Sequence, residues 1–172
     1  MEARAAGRGI ARGVTGLAFC WPGKTSAAYA RTGLDDYLAR IEHYRKCRVV
    51  LSPEEPRGSK YSTEHRVERE GEGILKRIAG LEPAWVCALD PGGKPVNTRD
   101  FADLLKRQLY EDARTPVFVV GGPDGLSCAV VKRADRLLGL SHFTLPHDMA
   151  RLVLAEQVYR ALTIINGHPY DR

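Results

Sequence analysis

The sequence predicts an α/β protein whose parallel sheet is covered by helices on both faces. Short apolar runs without polar alternation recur along the chain, as they do in buried parallel strands, and most are followed by apolar residues at helical spacing. The chain has 172 residues, the size of one ordinary domain. We therefore expect a single domain over residues 14–172, with ligands bound where its strands end.

The first part of the chain predicts two strands and two helices. Residues 14–21 form an apolar run that ends at a Pro-Gly pair, and residues 34–44 carry apolar side chains every three or four positions, on one face of a helix. Residues 47–51 predict the second strand. After a connection rich in proline and charge, residues 63–78 predict a charged helix.

The middle of the chain predicts a strand, a turn and a capped helix. Residues 83–89 form the third apolar run, and the glycines within residues 90–95 suit a tight turn with positive φ. Asn97 stands directly before an apolar helical pattern that runs to about residue 112. We expect its side chain to cap that helix.

The last part of the chain predicts a fourth strand followed by two further helices. Residues 116–120 form a continuous apolar strand that ends in Gly-Gly-Pro-Asp-Gly at residues 121–125. We expect a helix over residues 127–138, an extended segment over residues 140–145 and a final helix over residues 148–165. A short polar tail follows.

The charge balance favours an anionic partner. Lys and Arg number 26 against 21 Asp and Glu, a net charge of +5, which permits RNA as a partner without requiring it. Residues 1–13 are rich in Gly, Ala and Arg and predict a disordered basic extension. This extension is either a stretch upstream of the true start, with Val14 opening the first strand, or an arm that contacts nucleic acid.

Composition also limits the compartment and the metal chemistry. The sequence has no apolar run of the length that spans a bilayer and no secretory signal pattern, so we expect a cytoplasmic protein without a membrane segment. Its four cysteines form no C-x-x-C pair, which predicts free thiols, most of them buried. No pair of histidines or carboxylates has metal-ligand spacing on a helix, so we expect no metal site.

Three segments at predicted strand ends are candidates for ligand binding. Residues 121–125 match neither the G-x-G-x-x-G fingerprint nor a P-loop, but their glycines let a backbone approach a ligand closely; a purely structural turn is the alternative. Residues 140–146 suit adenine binding through main-chain groups in an apolar slot, or form an ordinary core strand. The tail at residues 168–172 offers titratable groups, or is simply a frayed end.

Several motifs in the last third of the chain resemble one family. Residues 119–126, 143–147, 156–161 and 166–172, together with Arg151, resemble the H-type 23S ribosomal RNA pseudouridine methyltransferases (RlmH), which belong to the SPOUT superfamily. The resemblance is specific over the last 56 residues, from residue 117, and looser from Val14 onward. It implies a SPOUT domain over residues 14–172 with a deep trefoil knot at about residues 117–172.

The resemblance also implies an activity. Members of this family are homodimers that hold S-adenosylmethionine in the knot and transfer its methyl group to N3 of a pseudouridine in 23S rRNA of the assembled ribosome. The cofactor site implied for this chain comprises Leu89, Gly121, Leu140, Ser141, His142, Phe143, Thr144 and Leu145. The catalytic groups implied are His168, Tyr170, Asp171 and Arg172 of the tail, with Arg160 as a phosphate or dimer contact.

One residue departs from the family pattern. Asp171 stands where the family tail usually has a second histidine, and a carboxylate cannot donate hydrogen bonds as an imidazolium does. Either that histidine is replaceable, or Asp171 is the base, or the enzyme is slower or altered in target. The alternative function is an RNA- or ribosome-binding protein that keeps the SPOUT fold without turnover, and the missing fingerprint disfavours a nucleotide-dependent oxidoreductase.

Overall fold

A computed structural model describes residues 16–58 and 60–170 of the chain. The predicted basic extension at residues 1–13 lies outside this part of the chain. The same holds for the first two residues of the first predicted strand and for the candidate catalytic residues Asp171 and Arg172.

Strands and helices alternate strictly along the described chain, as the apolar pattern predicts. The elements are β1 (Gly16–Pro22), α1 (Ala28–Glu42), β2 (Lys46–Ser52), α2 (Thr63–Ala79), β3 (Ala84–Pro95), α3 (Thr98–Tyr110), β4 (Thr115–Val119), α4 (Cys128–Arg133), β5 (Arg136–Gly139) and α5 (His147–Ile165). The predicted cap also forms, since the Asn97 side chain accepts a hydrogen bond from the Asp100 N–H at 2.9 Å at the start of α3.

The five strands of the described chain form one sheet in the order β2-β1-β4-β3-β5, and every pairing is parallel. The predicted α/β class with a parallel sheet is confirmed. The chain leaves β1 toward β2 on one side, whereas β4 lies on the other side of β1. Such a reversal opens a crevice at the carboxyl ends of the strands, where ligands bind in open α/β sheets.

Two apolar cores separate the sheet from its helices. Helices α1, α3 and α5 cover one face, over the aromatic side chains of Phe19, Trp21, Trp85 and Phe118, and Phe101 of α3 packs on Phe118. Helices α2 and α4 cover the other face, whose core consists of small and β-branched side chains, among them Val86, Val117, Val119 and Ile74. The sheet is therefore buried on both faces, which explains why its central strands show no polar alternation.

The prediction of a helix over residues 127–138 is wrong for the second half of that range. Helix α4 ends at Arg133, and residues 136–139 form strand β5 beside β3. Asp135 directs the change, since its carboxylate accepts a hydrogen bond from the Val86 N–H at 2.8 Å and its own N–H donates to the Val86 carbonyl at 2.9 Å. The predicted extended segment at residues 140–145 is an irregular loop that leads to α5.

The predicted turn at residues 90–95 also takes another form. Strand β3 continues through it with a register shift, so that Leu89 and Lys94 both pair with Leu138. Neither Gly92 nor Gly93 has a positive φ. A Cβ on Gly93 would lie 2.6–2.8 Å from backbone atoms of Leu138 and Gly139, so close backbone approach is what requires glycine there.

The cysteines are free thiols in different environments. Cys20 and Cys87 are buried, and burial raises the pKa of each thiol to about 12, whereas Cys128 is exposed. Within residues 16–58 and 60–170, no group of three or more metal-ligating side chains could hold a metal ion. No helix in the same range is long and apolar enough to cross a membrane.

Candidate functional site

The glycine turn after β4 is closed by its own backbone. The Gly125 N–H donates to the Gly122 carbonyl at 3.1 Å, and Gly125 adopts a φ of +93° that favours glycine. A Cβ on Gly121 would lie 2.6 Å from the Gly125 carbonyl oxygen. The turn therefore requires glycine at both ends.

The loop after β5 supplies the second predicted cofactor segment. Leu140 is half-buried against the aromatic core, while His142, Phe143 and Thr144 are exposed, Phe143 by 84%. The Ser141 hydroxyl accepts a hydrogen bond from the Phe143 N–H at 2.9 Å and so shapes the loop. A loop with this exposure presents main-chain groups and one large apolar ring to a ligand.

The structure brings the three predicted cofactor segments to neighbouring strands. In the sheet, β4 lies next to β3 and β3 next to β5. Ala88 pairs with Val119, just before the glycine turn, and Leu89 pairs with Leu138, just before the loop at residues 140–145. Leu89, Gly121 and the loop are therefore adjacent at one edge, although they are far apart in sequence.

A buried arginine holds the start of α5 against the end of β1. Arg151 is 1% exposed, and its Nη2 donates to the Pro22 carbonyl at 2.7 Å. Its Nη1 donates to Asp148 Oδ1 at 3.1 Å and to Thr25 Oγ1 at 3.4 Å, and its guanidinium carbon lies 5.3 Å from the Trp21 ring centroid. Burial lowers the pKa of Arg151, because the charged form loses hydration.

Asp148 completes this network by capping α1 from a distance. Its Oδ2 accepts hydrogen bonds from the backbone N–H groups of Ser26 and Ala27 at 3.0 and 2.9 Å, and from the Ser26 hydroxyl at 2.9 Å. Ala27, at the N-cap position, has no side chain for this purpose. Burial opposes ionisation of Asp148, but these hydrogen bonds, with His147 and Arg151 nearby, outweigh it and lower its pKa.

A second buried charge, Glu70 of α2, lies against the glycine turn. Its Oε1 accepts a hydrogen bond from the Glu55 N–H at 3.1 Å, and its carboxylate occupies the space that a side chain at Gly122 would need. Glu70 is 5% exposed, and burial raises its pKa. It thus ties the connection after β2 to the turn after β4.

Sequence reasoning assigned no function to Arg151 or Glu70. Glu70 belongs to a highly charged helix, yet it lies four residues before Ile74 and so shares the apolar face of α2. A charged residue at an apolar-face position is the signal that could have identified it. Arg151 occupies the same kind of position, three residues before the buried Leu154.

Substituting Glu70 should change how stability depends on pH. Because burial raises the folded-state pKa of Glu70 above its unfolded value, its ionisation costs stability as pH rises through the folded-state pKa. Glu70→Gln stays neutral and still accepts from Glu55. We expect the variant to gain unfolding free energy over the unsubstituted protein as pH rises through the acid range toward neutrality, measured by urea unfolding.

The matched control is Glu72→Gln, an exposed glutamate on the same helix. It should show the same pH dependence as the unsubstituted protein. If Glu70→Gln also parallels the unsubstituted protein across this range, the Glu70 carboxyl does not titrate with a raised pKa, and burial does not penalise its charge.

The described tail residues join an aromatic cluster formed by α1, the turn after it and α5. His168 Nδ1 lies 2.6 Å from the Tyr44 hydroxyl. The Tyr170 hydroxyl donates to Glu156 Oε1 at 3.4 Å and lies 3.3 Å from the Tyr37 hydroxyl, while the Arg160 guanidinium lies 4.7 Å from the Tyr170 ring centroid. Burial and the hydrogen bond with Tyr37 raise the pKa of Tyr170, so it stays protonated at neutral pH.

The structure brings His168, Tyr170 and Arg160 to one surface, but it does not bring them to the cofactor segments. Tyr170 folds back to Glu156, which lies about 14 Å along α5 from His147, where the loop at residues 140–145 joins the helix. Among residues 16–58 and 60–170, no hydrogen bond or ring contact joins the tail to that loop. The two groups of predicted residues lie apart on one chain.

Comparison with known proteins identifies the family. A family model described as "Predicted SPOUT methyltransferase" matches residues 16–171. "Ribosomal RNA large subunit methyltransferase H" of Gemmatimonas aurantiaca is 43% identical over 87% of this chain and 95% of its own length, and the protein of that name from Syntrophotalea carbinolica is 42% identical over 86% and 93%.

A solved structure supports the fold. The tRNA (m1G37) methyltransferase from Aquifex aeolicus matches with a TM-score of 0.57 and 14% identity, over 90% of this chain and 74% of that one. At this identity the likeness concerns the fold alone. From the family model and the two relatives, we conclude that this chain belongs to the SPOUT methyltransferase family.

Proposed function

We propose that this chain is an S-adenosylmethionine-dependent methyltransferase of large-subunit ribosomal RNA. Two relatives named as large-subunit ribosomal RNA methyltransferases are more than 40% identical to it across nearly their whole length. In finer detail, the resemblance points to N3 of a pseudouridine in 23S rRNA of the assembled ribosome, which would place the reaction in the cytoplasm. The observation that carries the proposal is the adjacency of Leu89, Gly121 and the loop at residues 140–145 at one sheet edge.

This edge fits the chemistry of the cofactor. Leu89 and Leu140 are half-buried and can form the walls of an apolar slot for adenine, while the main chain of residues 141–145 offers donors and acceptors. In the turn after β4, the space around Gly125 is open, which leaves room for a ligand to approach the backbone closely. When bound, S-adenosylmethionine supplies a methyl group already activated by its sulfonium.

The chain must then position the base and remove one proton. N3–H of a uracil-type ring is a weak acid, and the nitrogen becomes nucleophilic as that proton leaves. His168 and Asp171 are the tail groups that can accept it, whereas Arg160 and Arg172 can stabilise negative charge on the ring or contact phosphate. Tyr170, with its raised pKa, serves as a hydrogen-bond donor rather than as a base.

We further propose a homodimer in which the tail of one protomer reaches the sheet edge formed by Leu89, Gly121 and residues 140–145 of the other. The distance between the tail and the loop at residues 140–145 on one chain supports this arrangement, because catalysis needs both groups at the same methyl donor. Half-buried apolar side chains on α5, including Ala150, Ile164 and Ile165, also suit a covered helix surface.

The trefoil knot at about residues 117–172, within one SPOUT domain over residues 14–172, belongs to the same proposal. A threaded chain needs places where two backbones cross closely. Gly93 and Gly139 provide such a place, since a Cβ on Gly139 would lie 2.7 Å from the Gly93 carbonyl oxygen.

Cofactor titration and methyl transfer to ribosomes test this function together. We expect calorimetry to show micromolar binding of S-adenosylmethionine, and mass spectrometry to locate a new methyl group on a pseudouridine of 23S rRNA after incubation with ribosomes from a strain lacking the gene. Tyr170→Phe keeps the ring packing against Tyr159 and removes only the hydroxyl, so it should slow transfer while leaving cofactor affinity unchanged.

Two outcomes would contradict the proposal. Ribosome binding without cofactor binding or methyl transfer would favour the alternative, an RNA-binding SPOUT protein without turnover. Methyl transfer to a different nucleotide would keep the enzyme class but refute the pseudouridine target.

A further inference from the structure

An open groove of about 540 Å³ lies between α3 and the β5 edge of the sheet. One wall comprises Lys94, Pro95 and Val96, the residues that follow the register shift in β3. The other wall is the polar face of α3, and Arg136 of β5 lies at the groove. The groove thus adjoins the β3 segment that begins at Leu89, but it shares no lining residue with the predicted cofactor site.

Four cations of the described chain line this groove. Within residues 16–58 and 60–170, none of Lys94, Lys106, Arg107 and Arg136 forms an ion pair. The Nε of Arg136 is buried and has no hydrogen-bond acceptor. A ligand in the groove cannot reach that buried atom, but Lys94, Lys106 and Arg107 are exposed and free to pair with an anion.

The remaining lining residues indicate which anion fits. Three carboxylates, Asp100, Asp103 and Glu111, also face the groove, and Asp100 already accepts from Asn97 Nδ2 at 3.0 Å. Free carboxylates repel a bare anion but accept hydrogen bonds from hydroxyl groups. Among the described residues, no aromatic side chain lines the groove, so it lacks the aromatic rings on which unpaired bases commonly stack.

We propose that this groove binds the sugar–phosphate backbone of a double-helical segment of the RNA substrate. The cations contact phosphates and the carboxylates accept from 2′-hydroxyl groups, the two features by which proteins recognise A-form RNA irrespective of sequence. The inference rests on the proposed function, because it assigns a binding surface for that substrate. It adds a contact that would hold the RNA near Leu89, one of the predicted cofactor residues.

Charge reversal on α3 tests this surface. Lys106 and Arg107 are exposed, so Lys106→Glu/Arg107→Glu should fold normally. We expect fluorescence anisotropy with an RNA duplex that lacks pseudouridine to show an affinity weaker by about tenfold or more at moderate salt. The slope of log affinity against log salt concentration should decrease in magnitude by about one to two. A DNA duplex of the same sequence should bind more weakly to the unsubstituted protein.

The matched control reverses two lysines on the opposite face of the sheet. Lys76→Glu/Lys132→Glu changes the net charge by the same amount, on α2 and α4. It should leave RNA affinity within about threefold of the unsubstituted protein. If the α3 variant does not fold, Lys94→Gln removes one cation of the groove and should reduce the salt slope by about one.

Two results would overturn the inference: an RNA affinity that is unchanged in the groove variants, or an equal loss of RNA affinity in the control. Failure of the proposed function is separate, since these measurements contain no cofactor. If the protein methylates ribosomes but the groove variants bind RNA with unchanged affinity, only the RNA-binding role of the groove is refuted. If RNA binding depends on the groove but no methylation is found, only the proposed methyltransferase activity is refuted.

Discussion

Replacing Gly121 by alanine should weaken S-adenosylmethionine binding by about tenfold or more, the largest effect on activity that we expect from a single methyl group. The added Cβ would lie 2.6 Å from the Gly125 carbonyl oxygen, a distance that forces the turn to open. Opening moves the backbone that follows β4, next to Leu89 and the loop at residues 140–145. Calorimetry with the purified variant measures the loss directly, and methyl transfer to ribosomes should fall in parallel.

A second glycine provides the control for this substitution. Gly80 caps α2 with a φ of −77°, and the nearest atom to its added Cβ would be the Arg77 carbonyl oxygen at 3.4 Å. Gly80→Ala should therefore keep full cofactor affinity. If Gly121→Ala folds and binds the cofactor as tightly as Gly80→Ala does, the turn is only structural. That is the alternative that the sequence left open.

Arg151→Ala should lower the free energy of unfolding by about 3–5 kcal/mol, the range measured when one partner of a buried ion pair is removed. The substitution leaves Asp148 beside an empty space and strips the Pro22 carbonyl of its donor. It also removes the guanidinium that lies over the Trp21 ring. Urea unfolding followed by circular dichroism measures this change.

The control and the coupling test use the same measurement. Arg31→Ala changes an exposed arginine on α1 and should leave the unfolding midpoint nearly unchanged. Arg151→Met/Asp148→Asn removes both charges and fills the space, so it should recover part of the loss. If the loss in the double variant equals the sum of the losses in Arg151→Met and Asp148→Asn alone, Arg151 and Asp148 do not act as a pair.

The stability that Asp148 contributes to the folded protein should decrease at low pH. The pKa of Asp148 is lowered in the folded protein, so its contribution is present above the unfolded-state pKa and is lost as pH falls through the folded-state value. Glu70 acts in the opposite direction, because its raised pKa makes ionisation costly as pH rises. The two carboxyls thus favour stability at opposite ends of the acid range.

Much of the fold is encoded locally and could be predicted from the sequence. The final helix, predicted over residues 148–165, is observed at His147–Ile165, and Asn97 caps α3 as expected. Both depend on periodicity and on contacts between residues a few positions apart. The predicted end of α4 is wrong because residues 134–138 are compatible with either helix or strand, and pairing with β3 decides between them.

The sequence by itself determined the α/β class, the strand ends at which a ligand should bind, and the motifs that indicate a methyltransferase. These properties lie in short segments, where residue type and spacing carry the information. Only the tertiary structure decided the strand order that makes Leu89, Gly121 and the loop at residues 140–145 neighbours. It also decided the burial of Glu70 and Arg151 and the distance of the tail from that loop, because each depends on contacts between residues far apart in the chain.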